Sequence, residues 1–367
     1  MKKISIILTL MLVILTAVGC KTDKVDEDVY EPAKEQEKDN DQAKKEAPTE
    51  LVISTWGYSE DLLWEKVFTP FEEENNVKIV LETGNNSERL TKLKSNPDSN
   101  IDIIYLAESF AQEGIEAGLF EKIDYTKVPN ADKVDEKAKY LIDKEYGPAY
   151  TLNRAAIAYD PNKVGFEIKS WKDLWNPDLK EKISIPEITT TFGPSTMYIA
   201  SNYKGVDITT DNGDAAFAAL EELKPNLVKT YTKSSDLANM FANDEIAVAI
   251  TADFAYGRVK GGAPDVVFVN PEEGAYINFN TINIVKASKN KELALKFINY
   301  ALSTEVQTRT AKALGESPVN AEVQLTDEEA SNLTYGDIVE KSNTVDHGFV
   351  NSMKTKWIDM WNRTLNQ

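Results

Sequence analysis

A two-lobed α/β fold is what this sequence predicts, and three observations carry the prediction. From Leu51 to Ala117, short β-branched apolar runs alternate with segments whose apolar residues recur at helical spacing, the pattern of βαβ units. The run Gly147–Pro161, GPAYTLNRAAIAYDP, breaks that rhythm and alternates like an extended crossing segment. About 317 residues follow Glu50, enough for two domains on ordinary size grounds.

In chain order, strands are expected at Leu51–Thr55, Val77–Leu81 and Ile101–Leu106. Helices are expected at Leu62–Phe71 (apolar face Leu63, Val67, Phe71), around Leu90–Leu93 and at Phe110–Ala117, where Gly118 ends the last. Beyond the crossing segment, strands are expected at Ile183–Ile185, Leu227–Tyr231, Ile246–Ile250 and Val266–Val269. Helices are expected from Pro194, over Gly213–Leu223 and over Ser235–Phe241. Tyr276–Val285 is a strand that begins polar, at Asn278 and Asn280, and ends apolar, at Ile282 and Ile284; a helix with Leu293, Phe297 and Ile298 on one face follows. No internal repeat is evident, and the chain finishes in a helix bearing Trp357 and Trp361 on one face, a spacing that reads as docking on a lobe.

The first fifty residues speak to compartment. Lys2 and Lys3 precede an apolar run, Ile4–Val18, and small residues lead to Cys20, a secretory signal with a lipoprotein-type cleavage box. The expected boundaries are a signal at 1–19, a lipidated Cys20 with a charged, unstructured tether to 50, one lobe from 51–153 plus 282–325, a second from 154–281, and a C-terminal helical segment at 326–367. Cys20 is the only cysteine, so no intrachain disulfide can form. A net charge of -19 argues against nucleic acid, whose phosphates need a basic face. The sequence contains no G-x-S-x-G, H-E-x-x-H or P-loop, and a single histidine, His347; a serine triad and a histidine-ligated metal both lack their parts. No cofactor is expected. A hydrolase working with carboxylates alone is the competing class, and a surface adhesin or signalling receptor on the same fold is a further one.

Parallel sheets bind ligands at the carboxyl ends of their strands, which directs attention to Trp56 and Tyr58, to Asn85 and Ser87, and to Glu108. Thr189, Thr190 and Thr191 precede a helix whose first turn holds Pro194, where hydroxyls and free N–H groups suit an anion or a carbonyl. Ser87 is also placed to cap the helix that begins there, and Asp253 either binds an amine or caps its own helix.

Several strings together resemble the solute-binding proteins of ABC importers, with the spermidine/putrescine-binding branch the nearest likeness. They are Ser54–Gly57, Asn85–Leu90, Asn153–Pro161, Ser170–Trp175, Lys289–Glu292 and Gly315–Asn320, in order across Leu51–Leu325. The resemblance implies a periplasmic-binding-protein-like fold in which two lobes, joined by two crossing segments, close on a small-molecule solute. It implies delivery to a permease and ATPase complex by a monomer held at the extracellular membrane face by its lipid. Trp56 and Tyr58 match an aromatic pair of the polyamine binders. Elsewhere the chain departs from them: threonines at 189–191 replace acids, Thr251 replaces a tryptophan, Asn278 and Asn280 replace an aromatic and an acid, and Glu316 replaces a tyrosine. A small amine-containing solute, polyamine-like, is the first expectation; a zwitterionic amino-acid derivative or thiamine is the alternative.

Overall fold

The computed structural model describes residues 47–57 and 59–365; the signal, Cys20, most of the tether and Tyr58 lie outside the described residues. Strand β1 (Thr49–Thr55) is flanked in parallel by β2 (Val77–Thr83) and β3 (Ile103–Ala107). The expected helix over Leu62–Phe71 is built in three pieces, Glu60–Leu63, a π-helical Trp64–Phe68, and Thr69–Asn75.

Then comes β4 (Ala149–Tyr159), the predicted crossing segment. Strands β5 (Ile183–Pro186), β6 (Leu227–Tyr231) and β7 (Val248–Ala252) form a second parallel group, β8 (Val267–Val269) pairs with β4, and β9 (Tyr276–Ile284) returns. A two-residue β10 (Ser317–Pro318) also pairs with β4. All belong to one sheet with the path β2-β1-β3-β9-β4-β7-β5-β6.

The parallel pairing expected of the βαβ units holds within each group, and the crossing strands add an antiparallel centre. β9 runs antiparallel to β3 and to β4, and β4 runs antiparallel to β7, so two parallel sets are joined through an antiparallel centre. Strand length lets the two crossing strands bridge the groups. β4 and β9, 11 and 9 residues long, each serve both groups: Ala149–Ala155 of β4 pair with β9 while Ala155–Tyr159 pair with β7.

Side chains follow the same division. Leu152 of β4 belongs to a core with Leu51, Ile53, Phe71 and Phe297, whereas Ala155, Ile157 and Tyr159 belong to another with Ile185, Leu220 and Trp357. In β9 the change falls between Tyr276 and Ile277. Two cores spanned by two shared strands are the elements of a two-lobed fold. The C-terminal helix (His347–Leu365) buries Trp357 and Trp361 in the second core. It also contacts the helix Glu108–Glu116 of the first lobe, Lys354 reaching Glu113 at 3.1 Å.

Candidate functional site

Trp56 leaves the end of β1 and meets Tyr105 edge-on at 6.2 Å. The Arg89 guanidinium lies over the indole, 5.1 Å from its centroid. Arg89 is buried and donates to the carbonyls of Gly84, Ser54 and Tyr105. Burial lowers its pKa to about 10, which still leaves it charged at neutral pH. Arg89 was legible only as part of the Asn85–Leu90 string; its role as a cation on Trp56 depends on a helix and a strand end meeting in space.

Trp56 lines a cavity with Thr55, Tyr105, Tyr150, Gln307 and Glu316, floored by apolar residues such as Val67 and Phe68. The chain reaches Glu316 through Gly315, which ends the helix Thr304–Leu314 with φ of 69°, a left-handed cap that glycine adopts without steric cost. The following residues are clamped: Ser317 and Pro318 pair with Leu152 and Thr151, and the Thr151 hydroxyl donates to the Ser317 carbonyl at 2.7 Å. Enclosure by aromatic and aliphatic groups pushes the Glu316 carboxyl up to about 7, against the opposing effect of a hydrogen bond from Thr310. Among the described residues no cation pairs with it.

Asn278 and Asn280 stand two residues apart on β9, on one face, beside Asn153 of β4. Asn280 donates to the Asn153 side-chain oxygen at 2.8 Å, and Asn278 donates to Asn280 at 3.4 Å. Asn278 is buried, and its Oδ1 has no partner among the described residues. Asn280 also stands opposite Ala107 at the end of β3, so the three amides sit where the crossing strands meet the first lobe.

Other expected positions are engaged by the protein itself. Asn85, rather than Ser87, caps the helix Asn86–Ser95, in a reciprocal capping box with Glu88, because its extended backbone lets Oδ1 reach the Glu88 N–H. Ser87 lies exposed on the first turn of that helix. Thr251 does not follow the strand as expected but lies inside β7, fully buried and opposite Ala156, since β7 runs two residues further than the apolar run suggested. Asp253 starts the next helix, Asp253–Gly262, with its carboxylate turned inward. It accepts from the Thr334 hydroxyl at 2.6 Å and the Arg154 N–H at 3.1 Å, with the Arg154 guanidinium 3.8 Å away. That carboxylate already has its cation.

Glu108 is the first residue of its helix and is buried; the Tyr140 hydroxyl donates to it, and His347 Nε2 lies 3.8 Å away. The sole histidine is thus buried inside the fold. Folding of the C-terminal helix against the Glu108 helix places it inside.

On the second lobe, Thr190 accepts from the Gly193 N–H and donates to the Glu187 carbonyl, closing the turn before the helix Gly193–Tyr203. Thr190 and Thr191 line a cavity with Tyr231, Thr232, Ser234 and Phe254 at the carboxyl ends of β5, β6 and β7. Thr189 is exposed and lines a separate hollow beside the C-terminal helix. Among the described residues no group of His, Cys, Asp and Glu suits a metal ion, and no helix is long and apolar enough to cross a membrane.

Two lobes, crossing strands, and an aromatic cavity with placed polar groups define a solute receptor. The family profile described as bacterial extracellular solute-binding protein matches residues 66–334, and the chain belongs to that family. It is a solute-binding component of an ABC transporter and not an enzyme. It is similar to the putrescine-binding periplasmic protein PotF of Escherichia coli (strain K12), 27% identical over 279 residues, covering 70% of this chain and 74% of that protein. A spermidine/putrescine-binding periplasmic protein of the same strain is 27% identical over 256 residues, covering 67% of this chain and 71% of its own. The crystal structure of an ABC transporter from Clostridium perfringens ATCC 13124 superposes with a TM-score of 0.82 at 60% identity, covering 86% of this chain and 99% of that one.

Proposed function

We propose that the chain captures a small amine-bearing organic solute, polyamine-like, between its lobes and hands it to an ABC permease and ATPase, from the extracellular face of a membrane to which Cys20 tethers it. The observation that carries this reading is Glu316, a carboxylate in an aromatic cavity with no cation of its own among the described residues. An ammonium group supplies the missing charge, and the aromatic walls of Trp56, Tyr105 and Tyr150 enclose the carbon chain that bears it. The relatives described as putrescine- and spermidine-binding support the same class. A zwitterionic amino-acid derivative is the second reading. Asn278 and Asn280 are amides, and the second-lobe cavity is lined by hydroxyl and phenyl groups without a carboxylate.

A thermal-shift panel of putrescine, spermidine, γ-aminobutyrate, thiamine and a neutral sugar tests this directly. A solute present at 100 times its Kd stabilises the native state by about 2.7 kcal/mol. Putrescine or spermidine is expected to raise Tm; a shift with γ-aminobutyrate alone replaces the polyamine reading with the zwitterionic one.

Glu316→Gln is expected to weaken amine binding roughly 10- to 100-fold, the usual worth of a hydrogen bond to a charged group. Wild-type affinity is expected to rise between pH 6 and pH 8, because Glu316 titrates near 7 and only its ionised form attracts an ammonium that stays protonated to about pH 10. Calorimetry at the two pH values on both proteins is the measurement; a wild-type profile as flat as the variant's removes Glu316 from the site.

A further inference from the structure

Phe254 is 61% exposed, whereas no other large apolar side chain among the described residues exceeds 40%. It is not a loose surface residue. Its N–H donates to Asp253 Oδ1 at 2.8 Å, and the other oxygen of that carboxylate is held by Thr334 and Arg154. The ring leans on Phe192, with centroids 6.5 Å apart. The backbone under the ring is thus fixed from behind while the phenyl group projects forward.

Its position also matters. Phe254 lies two residues past the carboxyl end of β7, in the first turn of the helix Asp253–Gly262, and shares a cavity with Thr190, Thr191, Tyr231 and Ser234 from the ends of β5 and β6. The carboxyl ends of parallel strands are where open α/β sheets take their ligands. A rigid aromatic ring left in water at such a place gains by covering apolar surface, and it suits the hydrocarbon middle of a solute while the hydroxyls around it suit a polar end.

We infer that Phe254 is a specificity-determining residue of the second lobe: on closure its ring covers the methylene segment of the solute whose ammonium end is held in the first lobe at Trp56 and Glu316. This rests on the amine reading given above. The inference assigns to the second lobe a shape-reading contact rather than a charge. Affinity then depends on the length of the hydrocarbon segment, and loss of the ring accelerates release more than it slows capture, as interface truncations commonly do.

The test is calorimetry and stopped-flow release on wild type and Phe254→Ala with putrescine, cadaverine, γ-aminobutyrate, thiamine and a neutral sugar. Which of these the wild type binds scores the amine reading; the ratio of wild-type to variant affinity for each bound compound scores Phe254. The variant is expected to keep the unliganded Tm, because the ring is exposed, to bind about tenfold or more weakly, and to compress the difference between putrescine and cadaverine. Phe254→Tyr, which keeps the ring, is expected to restore most of the affinity. Equal affinity of wild type and Phe254→Ala for every bound compound overturns the assignment, including the case in which the variant loses only transport in cells, which would make the ring a permease contact.

Discussion

Trp357→Ala is expected to destabilise the protein by about 3–5 kcal/mol, the range for removing a large aromatic from a packed core. Trp357 is 1% exposed, its indole N–H donates to the Asn212 carbonyl at 2.9 Å, and Phe349 meets it edge-on. Gly213 makes the fit possible. At φ of 88° it presents no Cβ, and one built there falls 2.8 Å from the indole nitrogen. Truncation leaves both a cavity and an unpaired carbonyl. For a body of this size a loss of that magnitude lowers Tm by roughly 10 °C, measurable by calorimetry in the absence of solute. An unchanged Tm would mean that the C-terminal helix is an accessory rather than part of the second core.

The second large effect is hidden in the wild type and exposed by single substitutions. Burial pushes the Glu108 carboxyl up to about 7, with the Tyr140 hydrogen bond, Lys144 and the Phe279 backbone acting in the opposite direction. Burial drives His347 down to about 4, assisted by Lys144 and opposed by Asp346. Both groups are therefore neutral in the native state near pH 5.5, whereas the unfolded chain holds them charged.

For Glu108 the folded pKa exceeds the ordinary 4.5, so its stabilising contribution is full below about 4.5 and is lost as pH rises to about 7. For His347 the folded pKa falls below the ordinary 6.5, so its contribution is full above about 6.5 and is lost as pH falls toward 4. Between pH 4.5 and 6.5 native and unfolded chains each hold one of the two protons, and the slopes cancel. Glu108→Gln is expected to remove the first slope, leaving stability that rises with pH from 4 to 6.5. His347→Gln is expected to leave stability that falls from pH 4.5 to 7. Each swing, read as the difference from wild type in urea unfolding, is about 3 kcal/mol at most. Parallel pH profiles in all three proteins would show that the pair is already solvated or ion-paired.

Much of this architecture is legible along the chain because its signals are local. β4 is visible as an extended run that interrupts the βα rhythm, and β9 as a strand whose polar start precedes an apolar end. The helix carrying Trp357 and Trp361 declares its buried face by spacing alone. Trp56 and Glu316 are likewise found from strand-end position and from family resemblance, and they meet in one cavity.

What is not legible is pairing across distance. Nothing near Asp253 in sequence announces that Arg154, 99 residues away, neutralises it, and nothing near Asn280 announces Asn153, 127 residues away. Local pattern also mistook the cap of the Asn86 helix, where Ser87 and Asn85 compete and the extended backbone of Asn85 decides.

By itself the sequence determined the order of strands and helices, the crossing segments and the acidic, histidine-poor composition, since each depends on periodicity or on counts. Only the tertiary structure decided which carboxylates are already matched by a partner in the fold. Asp253 is matched by Arg154, Glu108 is buried beside His347, and Glu316 is left facing an aromatic cavity. The reason is that a side chain's charge state follows from its desolvation and its neighbours, and both are set by segments that meet only when the chain folds.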